Sequence, residues 1–290
     1  MTVDSVELRF RMFSDKVLSQ KIERAEARSN VDFVETRARL QPESGAAWIE
    51  VGGAYAMFDG VESPCTQTFG LGLFEDTKPE HVDEIEEFFT SRKAPVFHEV
   101  SPMADPSVMA ILSDRGYRPI ELSTVLYRAI DTELVVPETT NREITTRVIA
   151  PDEVDLWAST SAAGWAGEVE GLEEFMLGFG RISAQCSGAF PCVAELGGTP
   201  IATGMLFIHD GVAMLAGAST IPDGRNQGAQ NALLDARLKM AQEKGCGLAT
   251  MAASPGSQSQ KNAEKNGFVV AYTRTKWQDR DSYAAQTGAR

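Results

Sequence analysis

The chain nearly repeats itself at an offset of 151 residues. One offset serves three separated segments, and the intervals between them agree in both copies, so duplication explains the pattern better than chance does. The matching positions are Gly53 with Gly204, Asp59-Gly60-Val61 with Asp210-Gly211-Val212, and Gly116-Tyr117 with Gly267-Phe268. The 290 residues are therefore expected to fold as two related units.

Both copies predict the same order of elements. A strand ends at an Asp-Gly turn, a second strand returns, a helix with one apolar stripe follows, and a strand, a short helix and a last strand close the unit. In the first copy the strands and the longer helix are predicted at 47–58, through 69–71, and at 79–91, 96–100 and 120–128, with the short helix ending at Gly116. In the second copy they are predicted at 201–209, 214–220, 231–243, 248–252 and 269–277, with the short helix ending at Gly267. The second unit also opens with helices around 151–162 and 172–185 and a strand at 190–196.

Strands that alternate with helices indicate an α/β or α+β fold, with a mixed, mostly antiparallel sheet flanked by helices in each unit. Residues 131–143 contain a proline and several polar residues without clear periodicity, which is typical of a linker. We therefore expect a first module at 1–130 and a second at 144–290.

The loop at 221–230 is the strongest candidate for a binding site. A strand ends at Thr220, a turn with Pro222 and Gly224 follows, and a helix begins after Gly228. This order presents unpaired backbone N–H groups and the positive end of a helix dipole to one point, which favours an anion such as a pyrophosphate.

The equivalent loop of the first copy, at 74–79, has a different chemistry. It carries Glu75 and Asp76 where a polyanion would lie, and Pro79, which lacks an N–H group, at the last position. Each carboxylate close to a phosphate is repulsive by about 1 kcal/mol or more. We expect the second copy to bind the anion and the first copy not to bind it.

Together these residues resemble the GNAT superfamily of acyl-CoA-dependent N-acyltransferases. Arg225, Gly228 and Gln230 occupy the three positions of its (Gln/Arg)-x-x-Gly-x-(Gly/Ala) motif, with Gln230 in place of the usual small residue, and Gly267-Phe268 matches its closing motif. The resemblance covers 144–290 well and 1–130 weakly, so the chain resembles a tandem GNAT protein with a degenerate first module.

The resemblance implies a site and an activity. The second module would transfer an acetyl group from acetyl-CoA to a primary amine by direct attack. Backbone groups at the end of one strand would pair with the pantetheine arm, the glycine loop would hold the pyrophosphate, and an Asn would contact the arm from the other side. The implied residues are Ala218, Ser219, Thr220, Arg225, Asn226, Gln227, Gly228, Ala229, Gln230 and Asn262.

The sequence assigns no catalytic acid or base. Many family members have a Tyr five residues before the closing Phe, and this chain has Ala263 there; Tyr272 lies on the next strand and is not assigned. Candidate bases in the acceptor region or on a nearby strand are Glu168, Glu170, Glu173, Glu174 and Glu195. Candidate acceptor-pocket aromatics, which at helical spacing are more often core, are Trp157, Trp165, Phe175 and Phe179.

The composition limits the classes of partner that we expect the protein to bind. Residues 1–143 carry 15 Lys and Arg against 26 Asp and Glu, a net −11, whereas residues 144–290 carry 12 against 15, a net −3. Such acidity disfavours nucleic acid and mildly favours a cationic acceptor. Scattered cysteines, without ligand-like spacing to histidine, predict buried thiols in a cytoplasmic protein without a metal site. No secretory or membrane-spanning segment is expected.

Two alternatives stay open at this level. The missing tyrosine and the degenerate first copy are also compatible with a non-catalytic acyl-CoA sensor or partner-binding module. Tandem modules also fit peptide-bond formation from an aminoacyl donor, although the CoA-type loop argues against it. The acceptor is a small molecule or peptide whose identity, like the oligomeric state, the sequence does not specify.

Overall fold

A computed structural model describes residues 14–131, 141–166 and 171–279. The first half of the chain contributes three helices and five strands within that part. They are α1 (Lys16–Leu40), β1 (Ala47–Val51), β2 (Ala54–Phe58), β3 (Gln67–Phe69), α2 (Pro79–Thr90), β4 (Phe97–Val100), α3 (Ser107–Asp114) and β5 (Arg118–Ala129).

The second half contributes four helices and six strands to the described part. They are β6 (Ile144–Val148), α4 (Val154–Ala163), α5 (Leu172–Ser183), β7 (Ala189–Leu196), β8 (Thr199–His209), β9 (Val212–Thr220), α6 (Ala229–Glu243), β10 (Leu248–Ala253), α7 (Gln258–Lys265) and β11 (Val269–Gln278). Helices α3 and α7 are related residue for residue by the offset of 151, and strands β5 and β11 begin at related positions. The α/β prediction for both halves is confirmed.

All eleven strands form one sheet in the order β1-β2-β3-β4-β11-β5-β10-β9-β8-β7-β6. The prediction that each last strand closes its own unit is wrong. Strand β5 of the first half pairs with β10 of the second, and β11 of the second half pairs with β4 of the first. The two closing strands also pair antiparallel with each other. The halves therefore exchange their last strands and share one continuous sheet.

One further prediction is wrong, and one strand was not predicted. Residues 47–58 are not one strand, because Gly52 and Gly53 have positive φ values of 55° and 74° and form a two-residue hairpin turn between β1 and β2. Strand β6, at 144–148, was not predicted, and most of the predicted linker, 132–140, lies outside the described residues.

Helix α1 was also not predicted, although it has 25 residues. It begins after Asp15, whose carboxylate accepts a hydrogen bond from the Leu18 N–H group as an N-cap. One part of its buried surface, Leu18 and Ile22, packs in a cluster with β5, β9 and β10, and Phe33 packs in the core between β8 and α5. One helix of the first half thus covers strands of both halves.

A buried ionic cluster fixes α1 to the exchanged strands. Arg274 on β11 is 2% exposed and contacts Glu23, Glu26 and Glu99 at N–O distances of 3.2, 2.7 and 3.0 Å. Tyr272 donates a hydrogen bond to Glu23 at 2.8 Å. The three carboxylates lie on α1 and β4, and all of them contact the guanidinium of Arg274 on β11. The cluster therefore joins α1 and β4 to β11.

The four cysteines are buried and free, as the sequence predicts for thiols. Burial raises the pKa of Cys65 and of Cys186 above that of an ordinary thiol. None of the helices among the described residues is long and apolar enough to cross a membrane.

The Glu23 carboxyl makes stability dependent on pH. Burial raises the pKa of Glu23 from 4.5 to about 7, with Arg274 opposing the shift. The folded protein therefore keeps a proton that the unfolded chain releases, so this stabilisation is present below pH 4.5 and is lost as the pH rises through about 7. We expect the unfolding temperature of Glu23→Gln to fall less between pH 5 and pH 8 than that of the wild type. Thermal unfolding followed by circular dichroism measures this.

The matched control is Glu84→Gln, since Glu84 is exposed on α2. Its pH profile should follow the wild type. A Glu23→Gln profile parallel to the wild type would show that this carboxyl does not carry the pH dependence.

Candidate functional site

The sheet opens between β9 and β10. These strands pair in parallel only from Val212 to Met214 with Leu248 to Thr250. Beyond that point β9 continues along β8 to Thr220, while β10 continues along β5 to Ala253. The two strands diverge and leave a cleft between them.

A β-bulge lies on the β9 wall of this cleft. The register between β8 and β9 shifts between Thr203, opposite Ser219, and Met205, opposite Ala216. Two residues, Gly217 and Ala218, therefore face one residue of β8, and Gly217 has a φ of 59°. A bulge of this type turns backbone groups out of the ladder and towards the cleft.

The predicted anion loop closes the outer end of the cleft. A short 3-10 turn (Pro222–Gly224) leads to Asn226 and Gly228, which have φ values of 62° and 89°, and α6 begins at Ala229. A left-handed N-cap at Gly228 exposes the first N–H groups of α6, which have no partner within the helix. A side chain at Gly228 would point into open space, because nothing lies within 4 Å of an added Cβ.

The loop and the cleft enclose a cavity of about 730 Å³, a size typical of ligand sites. Every residue implied by the family resemblance lines it except Gln227, which is exposed and whose carbonyl accepts a hydrogen bond from Asn141. Trp165 and Gln258 also line this cavity and were not predicted as cofactor contacts.

A second cavity of about 490 Å³ continues the cleft inward between β9 and β10. It shares Ser219, Gln230 and Asn262 with the first cavity and extends to Ala216, Met251 and Ala263. The two cavities thus form one channel that runs from the glycine loop to the bulge.

Gln230 has a structural role in this channel. Its Nε2 donates to the carbonyl oxygen of Ser219 at 2.8 Å, to that of Thr203 at 3.3 Å and to the Thr220 hydroxyl at 2.9 Å. The side chain thus ties the start of α6 to β8 and β9. The Ser219 hydroxyl in turn donates to the Ser161 carbonyl on α4 at 2.7 Å.

Arg237 is a residue of the channel that sequence reasoning missed. It is 4% exposed, and its guanidinium donates to the carbonyl oxygens of Met205 and Ala216 beside the bulge, at 3.1 and 3.2 Å. Burial lowers its pKa to about 10. The sequence feature that could have identified Arg237 is its position as a charged residue within the apolar stripe formed by Leu233, Leu234 and Leu238.

The three candidate bases that the structure describes do not line the channel. Glu195 is bound by Arg147 at 2.8 Å on an outer part of the sheet, and Glu173 and Glu174 are exposed and line a separate depression beside α4 and α5. Glu168 and Glu170 lie outside the described residues. Tyr272, which was left unassigned, is a buried member of the Arg274 cluster.

The four candidate aromatics separate into different places. Trp165 lines both cavities of the channel. Trp157 is buried in the core, where its indole donates to the Cys192 carbonyl, and Phe179 stacks on Phe33 with centroids 4.4 Å apart. Phe175 is 40% exposed and stacks on Phe179.

The equivalent region of the first half is filled by its own side chains. Phe74 stands at the position of Arg225, and the guanidinium of Arg24 on α1 lies 3.9 Å from its ring. Arg24 also donates to the Gly53 carbonyl at 2.8 Å. Lys78, rather than a left-handed glycine, caps α2, and Glu75 and Asp76 are exposed in the loop.

Residues 160–268 match the Acetyltransferase (GNAT) family. They include the bulge, the glycine loop and the closing Gly267-Phe268 pair. This part of the second half is therefore similar to the GNAT acetyltransferases. No curated protein sequence matches the chain.

Solved structures resemble both halves together. A GCN5-related N-acetyltransferase from Kribbella flavida has a TM-score of 0.60 at 20% identity, over 88% of this chain and 98% of that chain. One from Sphaerobacter thermophilus has a TM-score of 0.54 at 18% identity, over 78% and 76%. A tandem GNAT protein from the clavulanic acid biosynthesis pathway has a TM-score of 0.53 at 15% identity, over 79% and 78%. The described chain therefore has the tandem GNAT fold, and the family match of residues 160–268 supports acyl transfer in general.

The position of Arg237 leads to a prediction for Gly204, the residue that corresponds to Gly53 of the first copy. A Cβ at Gly204 would lie 2.7 Å from the Arg237 Cζ atom, so the alanine must displace a buried guanidinium. We expect Gly204→Ala to lower the free energy of unfolding by about 1–3 kcal/mol. Urea denaturation measures the change.

Gly247→Ala is the matched control, because nothing lies within 4 Å of its added Cβ and its φ is not positive. It should unfold close to the wild type. Equal stability of the two variants would show that Gly204 is not required for the placement of Arg237.

Proposed function

We propose that the protein transfers an acetyl group from acetyl-CoA to a primary amine of a small molecule or peptide. Residues 144–290 would form the acyl-CoA-binding module, and residues 1–130 a degenerate module that serves as scaffold, joined by 131–143. The observation that carries the proposal is the channel, which joins a helix N-terminus with a glycine cap to a β-bulge between two diverging strands.

The glycine loop supplies the charge complement of a pyrophosphate. Backbone N–H groups of residues 227–230 would bind the phosphates together with the positive end of the dipole of α6, which begins after Gly228. Arg225 adds a guanidinium with five donors, one of which is bound to the Gly164 carbonyl at 3.1 Å. That bond fixes the side chain at the mouth of the cavity.

The inner channel would hold the pantetheine arm and the thioester. Backbone groups of Ala218, Ser219 and Thr220 line one side, and Asn262 lines the other. The Ser219 carbonyl already accepts a hydrogen bond from the Gln230 side chain, which fixes this part of β9. Binding energy from the distant nucleotide would orient the thioester at the bulge for attack by the amine.

Proton transfer would pass through water. The described residues that line the two cavities include no carboxylate, histidine, tyrosine or cysteine. Ala263, at the position where many family members have a tyrosine, lines the inner cavity and cannot protonate the leaving thiolate. We therefore expect a water molecule in the channel to accept the ammonium proton of the substrate and another to serve the thiolate.

The loop gives the most direct mutational test. Gly228→Glu adds a carboxylate to the mouth of the cavity at a residue with a φ of 89°, and Arg225→Glu reverses the charge beside it. Each should weaken acetyl-CoA binding at least a hundredfold, because like charges close to the phosphates replace donors. Calorimetric titration measures the dissociation constant.

Glu75→Ala, in the equivalent loop of the first half, is the control and should bind acetyl-CoA as the wild type does. Saturable binding that survives Gly228→Glu with unchanged affinity would place the cofactor elsewhere.

A non-catalytic acyl-CoA sensor is the second candidate, and the lack of an acid or base among the described channel residues favours it. Release of CoA in the presence of a panel of amines separates the two functions. Turnover on any amine supports the transferase, whereas tight acetyl-CoA binding without turnover supports the sensor.

A further inference from the structure

A third cavity adjoins the inner end of the channel. It has a volume of about 140 Å³ and is bounded by α1, α4, α5, β8 and β9. It shares Ser161, Met176, Ala216 and Gly217 with the inner cavity, and it shares none of its lining residues with the cavity at the glycine loop. The three cavities therefore follow one another, and this one lies beyond the bulge, at the end opposite the phosphate loop.

The walls of this cavity are apolar. Its lining includes Phe179, Met176, Met205 and Met214, and no aspartate, glutamate, lysine, arginine or histidine lines it among the residues that the structure describes. An ammonium group would find no counter-charge among these residues and would be costly to desolvate. Methionine side chains adapt to the shape of an apolar guest. The cavity is thus suited to a small, uncharged hydrocarbon group.

Both halves of the chain build the cavity. Phe33 on α1 and Cys65, before β3, come from the first half, and both are buried, at 3% and 4% exposure. Phe33 stacks on Phe179 of α5 and so joins the two halves at this wall. The first half therefore has a surface in contact with the reacting end of the channel.

We propose that this cavity receives the hydrocarbon chain of acyl-CoA donors longer than acetyl-CoA, with four to six carbons in the acyl group. The inference rests on the proposed function, which places the thioester carbonyl at the bulge beside Ala216 and Gly217. At about 30 Å³ for each water-sized group, the volume has room for about four or five non-hydrogen atoms beyond that carbonyl. A straight or branched short chain fills it, and a long fatty chain does not fit.

Calorimetric titration with CoA, acetyl-CoA, butanoyl-CoA, hexanoyl-CoA and dodecanoyl-CoA tests the proposal without an acceptor. Each methylene that enters the cavity should tighten binding about fourfold. We expect affinity to rise from acetyl to hexanoyl and to fall again at dodecanoyl. Butanoyl and hexanoyl esters that bind no tighter than acetyl-CoA would overturn the proposal, whereas failure of every thioester to bind would instead overturn the proposed function.

Cys65→Leu tests the contribution of the first half. The larger side chain narrows the cavity, so the affinity for hexanoyl-CoA relative to acetyl-CoA should fall at least tenfold. Cys246→Leu, the same change at a buried cysteine that lines none of these cavities, should leave that ratio unchanged. An unchanged ratio in folded Cys65→Leu protein would contradict the proposal.

Phe179→Ala provides a second variant, since Phe179 is only partly buried and its loss opens the cavity. It should raise the affinity for dodecanoyl-CoA relative to hexanoyl-CoA at least tenfold. Chain-length dependence confined to the amine acceptor in turnover assays, with none in donor binding, would reassign the cavity to the acceptor and overturn the proposal.

Discussion

The pairing of each closing strand with the other half of the chain is the constraint on which the rest of this structure depends. Strand β11 lies between β4 and β5, and β5 lies between β11 and β10, so neither half can complete its sheet alone. The Arg274 cluster reinforces this arrangement. A buried guanidinium without its carboxylates would be strongly destabilising, so Glu23, Glu26 and Glu99 must be in place when β11 docks.

This exchange also positions the ligand channel. One wall of the channel is β9, and the other is β10, which β5 of the first half supports through six paired residues. Helix α1 then crosses to the second half and reaches the apolar cavity at Phe33. The first half is thus built into the framework around the channel.

The two loops differ at positions that the offset of 151 residues relates. Helices α2 and α6 occupy related places, yet α2 begins at a proline after Lys78, whereas α6 begins after a left-handed glycine. The paired glycines have also diverged. Gly53 allows the hairpin and the close approach of Phe74, and Gly204 leaves room for Arg237 below the bulge. The same position is kept small for two different physical reasons.

Local patterns in the sequence predicted most helices and strands of the described chain and the residues around the glycine loop, because turn chemistry and apolar stripes act over short distances. The strand exchange was not predictable, because the alternation of apolar and polar residues in β5 and β11 does not specify which strands pair with them. Helix α1 was not predicted because it buries Glu23 and Asp32 along with its apolar residues, which weakens the apolar periodicity of a helix. The role of Arg237 was not predicted because its hydrogen-bond partners are backbone carbonyls that only the fold brings together. A crystal structure of the protein with acetyl-CoA tests the central claim most directly. We expect one cofactor per chain, with its pyrophosphate against the N–H groups of residues 227–230 and its thioester beside Gly217 and Ala218. A cofactor bound at residues 74–79, or one in each half, would contradict it.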